Sequence, residues 1–224
     1  MRGPATTTDI ETALRELPIF PLPHVVLFPQ ASLPLHIFEP RYRAMLHDCL
    51  ATHKVMAMAL VSGPAGVRAT DPPPIHAVAG AGVIVEHRSM PDGRANILLY
   101  GCARVRLDEL PFVPPYRRAR GTLLHDQDDA HHPVTFSDRA ALLASAAAFA
   151  ADVRKHNPGF DFHVPPDLEP GALSDFCAHH LIVDTHVRQA LLEELRPKER
   201  VRIVTQALAT QHSELVRENG GMLH

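Results

Sequence analysis

Sixteen histidines and 25 carboxylates in 224 residues raise metal chemistry first. His179 and His186 are seven positions apart and can share a helix face, with Asp175 one turn before His179. A second group, His125, Asp126, Asp128, Asp129, His131 and His132, crowds one short stretch. A metal site needs roughly three or four ligands in fixed geometry, with neighbours that orient them. Nothing makes the first group converge, and the second lies in a charged linker. Both read as solvated polar residues, so no metal is expected.

Nucleophilic catalysis finds no better support. Cys49, Cys102 and Cys177 are odd in number, far apart and form no CxxC pair. They read as reduced, mostly buried thiols. Cys177 precedes His179 by two residues, which sets the pair about 200° apart around a helix. Cys102 and His87 fall in neighbouring predicted strands and can approach, yet nothing near either resembles an oxyanion hole. Ser62 and Ser89 lie in loops without a nucleophile elbow. Glu39, followed by Pro40, marks a helix start, where a carboxylate caps the helix and pairs with Arg41, Arg43 or a strand arginine. It has no partner acid for general-base work. The expectation is a protein with no catalytic residue, no cofactor and no enzymatic activity.

Binding surfaces come next. Arg104, Arg106, Arg117, Arg118 and Arg120 alternate with other residues and could form a basic face for RNA. The same alternation is the pattern of a sheet with one solvated face. Aromatic residues are 5% of the chain with no Trp, which weakens base stacking, and a net charge of −3 attracts no polyanion. RNA binding is therefore the second reading. A peptide-binding surface needs exposed apolar groups beside unpaired strand edges. Phe28, Leu33, Ile37, Phe38 and Met90 are the candidates, because they flank proline breaks or a hairpin tip; each also suits a core.

These residues are positioned by two kinds of segment. Residues 1–13 are polar and expected to fray. "LPIFPLPHVVLFPQASLPLHIFEPRYR", residues 17–43, holds six prolines. Proline lacks an N–H and extends its predecessor, so LPIFPL, VVLF and PLHIF read as short or edge strands at a barrel rim. A helix follows from Pro40, with Tyr42, Met45, Leu46 and Cys49 on one face. KVMAMALV, residues 77–88, ANILLYG, ARVRLDEL and PYRRARGTLL read as strands, with Asp92-Gly93 as a hairpin turn. Residues 14–125 thus form a β-rich unit with one helix. HDQDDAHHP is a linker, and residues 134–218 read as a helical bundle, with Ser137 and Asp184 as caps. No signal peptide opens the chain and no apolar run reaches the roughly 18 residues of a membrane helix, so a cytoplasmic protein without a membrane partner is expected.

This order resembles the N-terminal, substrate-binding domain of the Lon protease family. The residues that carry the resemblance are "LPIFPL…VVLFP…LPLHIFEPRYRAM", then "GVIVEHRSMPDGRANILLYGCARVRL", with support from "LSDFCAHHLIVDTHVRQALLEELRPKERV". It covers roughly residues 15–217. The resemblance implies an α+β protein: a PUA-like β-barrel with one helix, residues 14–125, followed by a C-terminal α-helical bundle, residues 134–218. It also implies recognition of unfolded or apolar protein segments, with a separate protease or chaperone as a further partner. The phosphate-binding G-x-x-x-x-G-K-[ST] loop and the protease's Ser-Lys segment are absent from the sequence. The expectation is a stand-alone, non-catalytic module of that family.

Overall fold

The proline-rich opening stretch builds two strands and the turn of chain between them. In the computed structural model, which describes residues 7–63, 73–127 and 130–220, β1 (Leu17–Leu22) and β2 (Ser32–Ile37) are strands, as LPIFPL and PLHIF predict. VVLF is not. Residues 25–28 have irregular backbone, yet Val26, Leu27 and Phe28 are buried. They pass so close to the sheet that a Cβ on Gly80 would fall on the Leu27 carbonyl oxygen, and one on Gly101 on that of Phe28. Gln30, at φ 64°, then bonds through its N–H to Gly101 O at 2.8 Å.

The remaining elements of this unit are α1 (Thr7–Ala13), a 3-10 turn (Leu14–Glu16), α2 (Pro40–Ala51), β3 (Val55–Leu60), β4 (Val78–Ser89), β5 (Ala95–Glu109) and β6 (Arg117–Leu124). The expected fraying does not extend to residues 7–13, which are helical and anchored by buried Ala13 and Leu14. ANILLYG and ARVRLDEL join into one strand, β5. The sheet order is β2-β5-β4-β3-β1-β6, and β5 also pairs β6. Five strands therefore close into a ring, while β2 lies only along the first half of β5. All pairs are antiparallel except β1 with β3.

Two cores share this sheet. One face gathers Leu17, Ile19, Val55, Ala57, Ala59, Ala79, Ala81, Val83, Val105, Leu107 and Ala119. The other buries Phe20, Met56, Met58 and Leu60, and Tyr42 of α2 packs on Phe20 with ring centroids 4.3 Å apart. Strand β3 is buried on both faces, which explains its continuous apolar run VMAMAL. Register shifts after Ala81 and Ile84 break simple alternation along β4: Val83 and Ile84 are both buried, whereas Val85 and His87 are exposed. The Asp92-Gly93 turn forms as expected, with Gly93 at φ 79° and Met90 N–H on Arg94 O at 2.8 Å.

The chain divides into two compact units, residues 1–124 and 125–224. In the second lie α3 (Phe136–His156), α4 (Pro170–Leu181), α5 (Thr185–Glu193) and α6 (Pro197–Gly220). Thr135, not Ser137, caps α3. Its hydroxyl accepts from Asp138 N–H at 3.2 Å, and the Asp138 carboxylate accepts from Thr135 N–H at 2.7 Å. Asp184 caps α5 as expected, accepting from His186 and Val187 N–H at 2.7 and 3.0 Å. Helix α6 packs on both α3 and α4. Leu142, Ala146 and Phe149 are buried, as are Leu173, Cys177, Leu181, Val201, Val204 and Leu208. No described helix is long and apolar enough to cross a membrane.

Candidate functional site

Strand β2 carries two of the five residues proposed for a binding surface, Leu33 and Ile37, and Phe38 follows it directly. Leu33, Leu35 and Ile37 share a face and pair with Leu99, Ile97 and Ala95 of β5. Ile37 is 1% exposed and Phe28 is fully buried, so both belong to the core and neither offers a surface. Phe28 is held there by the close passage over Gly101, and Ile37 by facing the same side as Leu99. Leu33 and Leu35 are only half-buried, because no described strand pairs with β2 on its far side. Phe38 is 58% exposed and stacks on His36 at 6.0 Å, while His36 Nδ1 lies 2.7 Å from Asn96 Oδ1. Met90 is half-buried at the hairpin turn.

Among the described residues of this unit, sequence reasoning missed the exposed apolar side chains of Val85, Tyr100, Phe112 and Val113. Phe112 borders a small cleft lined by Ile19, Pro21, Tyr42, Pro115 and Tyr116. The signal was present in LPFVPPY, residues 110–116, where apolar residues sit between prolines that cannot join a ladder. Tyr116 of the cleft donates to Asp48 Oδ2 at 2.6 Å. Burial and that acceptor raise the Tyr116 phenol, and the same hydrogen bond lowers Asp48.

The five arginines do not form one basic face. Arg104 and Arg117 are buried, and Arg117 forks onto Glu109 with contacts of 2.6 to 2.9 Å. Arg118 pairs with Glu16 at 2.7 Å and covers the Tyr116 ring. Arg106 and Arg120 remain exposed. Glu39 occupies the N-cap position of α2, but its side chain makes no capping bond and instead pairs with Arg41 at 2.9 Å. Both partners are well solvated, so the pair contributes about 0–1 kcal/mol.

The three cysteines are not activated as nucleophiles. Burial pushes the Cys49 and Cys177 thiols up to about 12 and raises Cys102 as well. The register places Cys102 beside Ala81 and Gly82, whereas His87 pairs with Ile97, so the two do not meet. Among the described residues no group of three or more His, Cys, Asp or Glu could hold a metal ion. Asp175 and Asp126 both turn to Arg200, and His186 is exposed. Asp128 and Asp129 lie outside the described residues.

His179 does titrate unusually. Burial, then the nearby His180 and Arg188 charges, lower it to about 4 from a usual value near 6.5. An unfolded chain takes up this proton as pH falls through 6.5, while the folded helical unit stays neutral until about 4. Its stability therefore declines as pH drops from 6.5 to 4. Asp138, held at about 2 by Lys198 and Thr135, extends the decline from 3.8 downward. Denaturant midpoints measured against pH check this: His179→Phe should make the upper window shallower, with His180, also lowered by burial, still contributing there, and leave the lower one, and identical profiles would refute it.

The sequence model for the ATP-dependent protease La (LON) substrate-binding domain matches residues 16–210. The Lon protease of Roseiflexus castenholzii is 27% identical over 224 residues, covering 96% of this chain and 26% of that protein. That of Dictyoglomus thermophilum is 26% identical over 195 residues, covering 87% and 24%. The chain thus spans about a quarter of the length of these relatives. Among solved structures, a Lon N-terminal domain protein from Xanthomonas campestris aligns with a TM-score of 0.59 at 23% identity, over 84% of this chain and 95% of that one. The N-terminal domain of Mycobacterium avium complex Lon protease aligns with a TM-score of 0.58 at 13% identity, over 87% and 98%. The ring of strands followed by packed helices is accordingly the fold of those domains, and the chain belongs to the LON substrate-binding domain family.

Proposed function

We propose that the protein is a non-catalytic module that captures unfolded or apolar protein segments in the cytoplasm and presents them to a separate protease or chaperone. The observation that carries this reading is the set of exposed apolar side chains on the strand unit, Phe38, Val85, Tyr100, Phe112 and Val113, to which the helical unit adds Phe136, Val183 and Val216. Exposed apolar groups mark a docking surface for another chain where they join into one patch. Family membership supplies the class of ligand, and Leu33, Phe38 and Met90 remain as members of the surface. The PUA-like description of the ring belongs to the same reading. No specific observation favours RNA, since two of the five arginines are buried.

A single module should bind weakly, because ordering a flexible segment has an entropic cost and no second site adds avidity. The expected dissociation constant is on the order of 10 µM to 1 mM. Titrating a denatured model protein into isotope-labelled full chain should shift resonances of the strand unit, and the shifts should persist in high salt. Silence up to millimolar ligand, or salt-sensitive shifts confined to Arg106 and Arg120, would overturn the reading.

A further inference from the structure

Among the described residues, one edge of strand β2 pairs with no strand. Gly101 donates its N–H to Ala31 O at 2.8 Å, and the register continues as Leu33 with Leu99, Leu35 with Ile97 and Ile37 with Ala95. Hydrogen-bonded positions alternate in an antiparallel pair. These residues therefore turn their backbone groups to β5, while Ser32, Pro34 and His36 turn theirs away. Outside β5, no described residue bonds to the backbone of those three. The edge presents the N–H groups of Ser32 and His36 and three carbonyls.

We propose that a client segment docks by adding a strand to this edge. The proposal rests on the peptide-capture reading above and specifies its geometry. Two observations select a foreign segment as the occupant. Leu33 and Leu35 are half-buried and no described strand flanks β2 opposite β5, so apolar side chains at alternate positions of an incoming strand would cover both further. Pro34 removes one donor from the middle of the edge. A client strand loses a single hydrogen bond there, whereas a second copy paired antiparallel about Pro34 loses both central ones. The edge thus admits a foreign strand more readily than its own twin. The client class follows: an extended segment, apolar at alternate positions, with no proline where it faces Ser32, Pro34 or His36.

The test uses the intact protein and a short synthetic peptide with valine at alternate positions. Saturating peptide should slow amide hydrogen exchange at Ser32 and His36 by about tenfold or more. The same peptide, N-methylated on its edge-facing amides, should fail to bind. Pro34→Val, which restores one donor, should tighten binding by about 2- to 10-fold, the factor carried by one backbone hydrogen bond. Binding that ignores methylation, or that leaves Ser32 and His36 exchange unchanged, overturns strand addition while peptide capture stands. Failure of every peptide to bind removes both.

Discussion

Arg200→Met is expected to destabilise the helical unit by about 3–5 kcal/mol. Arg200 is fully buried, yet its guanidinium forks onto Asp126 at 2.8 and 2.7 Å. It also donates to Glu194 O at 3.0 Å and Ser174 Oγ at 3.3 Å, and lies 3.4 Å from Asp175 Oδ1. One side chain of α6 thereby ties together the segment before α3, helix α4 and the end of α5. Methionine fills much of the volume but removes the Arg200 charge from beside the buried Asp175 carboxylate. Arg200→Lys should recover only part of the loss, since an ammonium cannot reproduce the fork. Gly171 makes the arrangement possible, because a Cβ there would strike both Asp126 and Arg200. Denaturant unfolding followed by resonances of the helical unit measures the change. A loss below about 1 kcal/mol would show that the cluster merely breaks even.

The second large effect belongs to the strand unit. Gly80→Ala is expected to cost about 3 kcal/mol or more, at the upper end of overpacking penalties. Its new methyl group would land on the Leu27 carbonyl oxygen, and backbone cannot rotate away as a flexible side chain can. Gly101→Ala should behave alike through Phe28. Gly159→Ala, where the nearest atom is Asn157 Oδ1 at 3.6 Å, serves as the comparison and should change stability by no more than about 0.5 kcal/mol. Equal melting of the Gly80 and Gly159 variants would mean that residues 25–28 lift off the sheet at little cost.

Local signals were legible where local chemistry decides. Asp92-Gly93 specified its turn, Pro40 its helix start and Asp184 its cap. Tyr42, Met45, Leu46 and Cys49 repeat at helical spacing, and all four are buried. Long-range packing was not legible. VVLF has the composition of a strand, but glycines in β4 and β5 let it lie across the sheet instead. That decision is taken more than fifty residues away, so Phe28 looked like a rim residue and became core. Ile37 followed from the same face of β2. Arg200 carried a faint signal: it falls at helical spacing with the inward Val204 and Leu208. Its charge disguised a core position, because only the fold brings Asp126 to it. The exposed Phe112 and Val113 were overlooked because apolar residues are expected inside, and only the prolines around them argued otherwise.

Ring closure also carries a kinetic consequence. Strand β1 pairs with β3 on one side and, through Leu17 with Ala119, with β6 on the other. The second pairing joins residues about a hundred positions apart, and the first needs the whole β2–α2 crossover between its strands. Contacts so distant in sequence slow folding toward the millisecond-to-second range typical of β topologies. A ribosome delivers β1 first and its last partner only when residue 124 has emerged. Until then the apolar run of β3 lacks its closed ring, and the nascent chain displays the same kind of segment that the finished protein is proposed to capture.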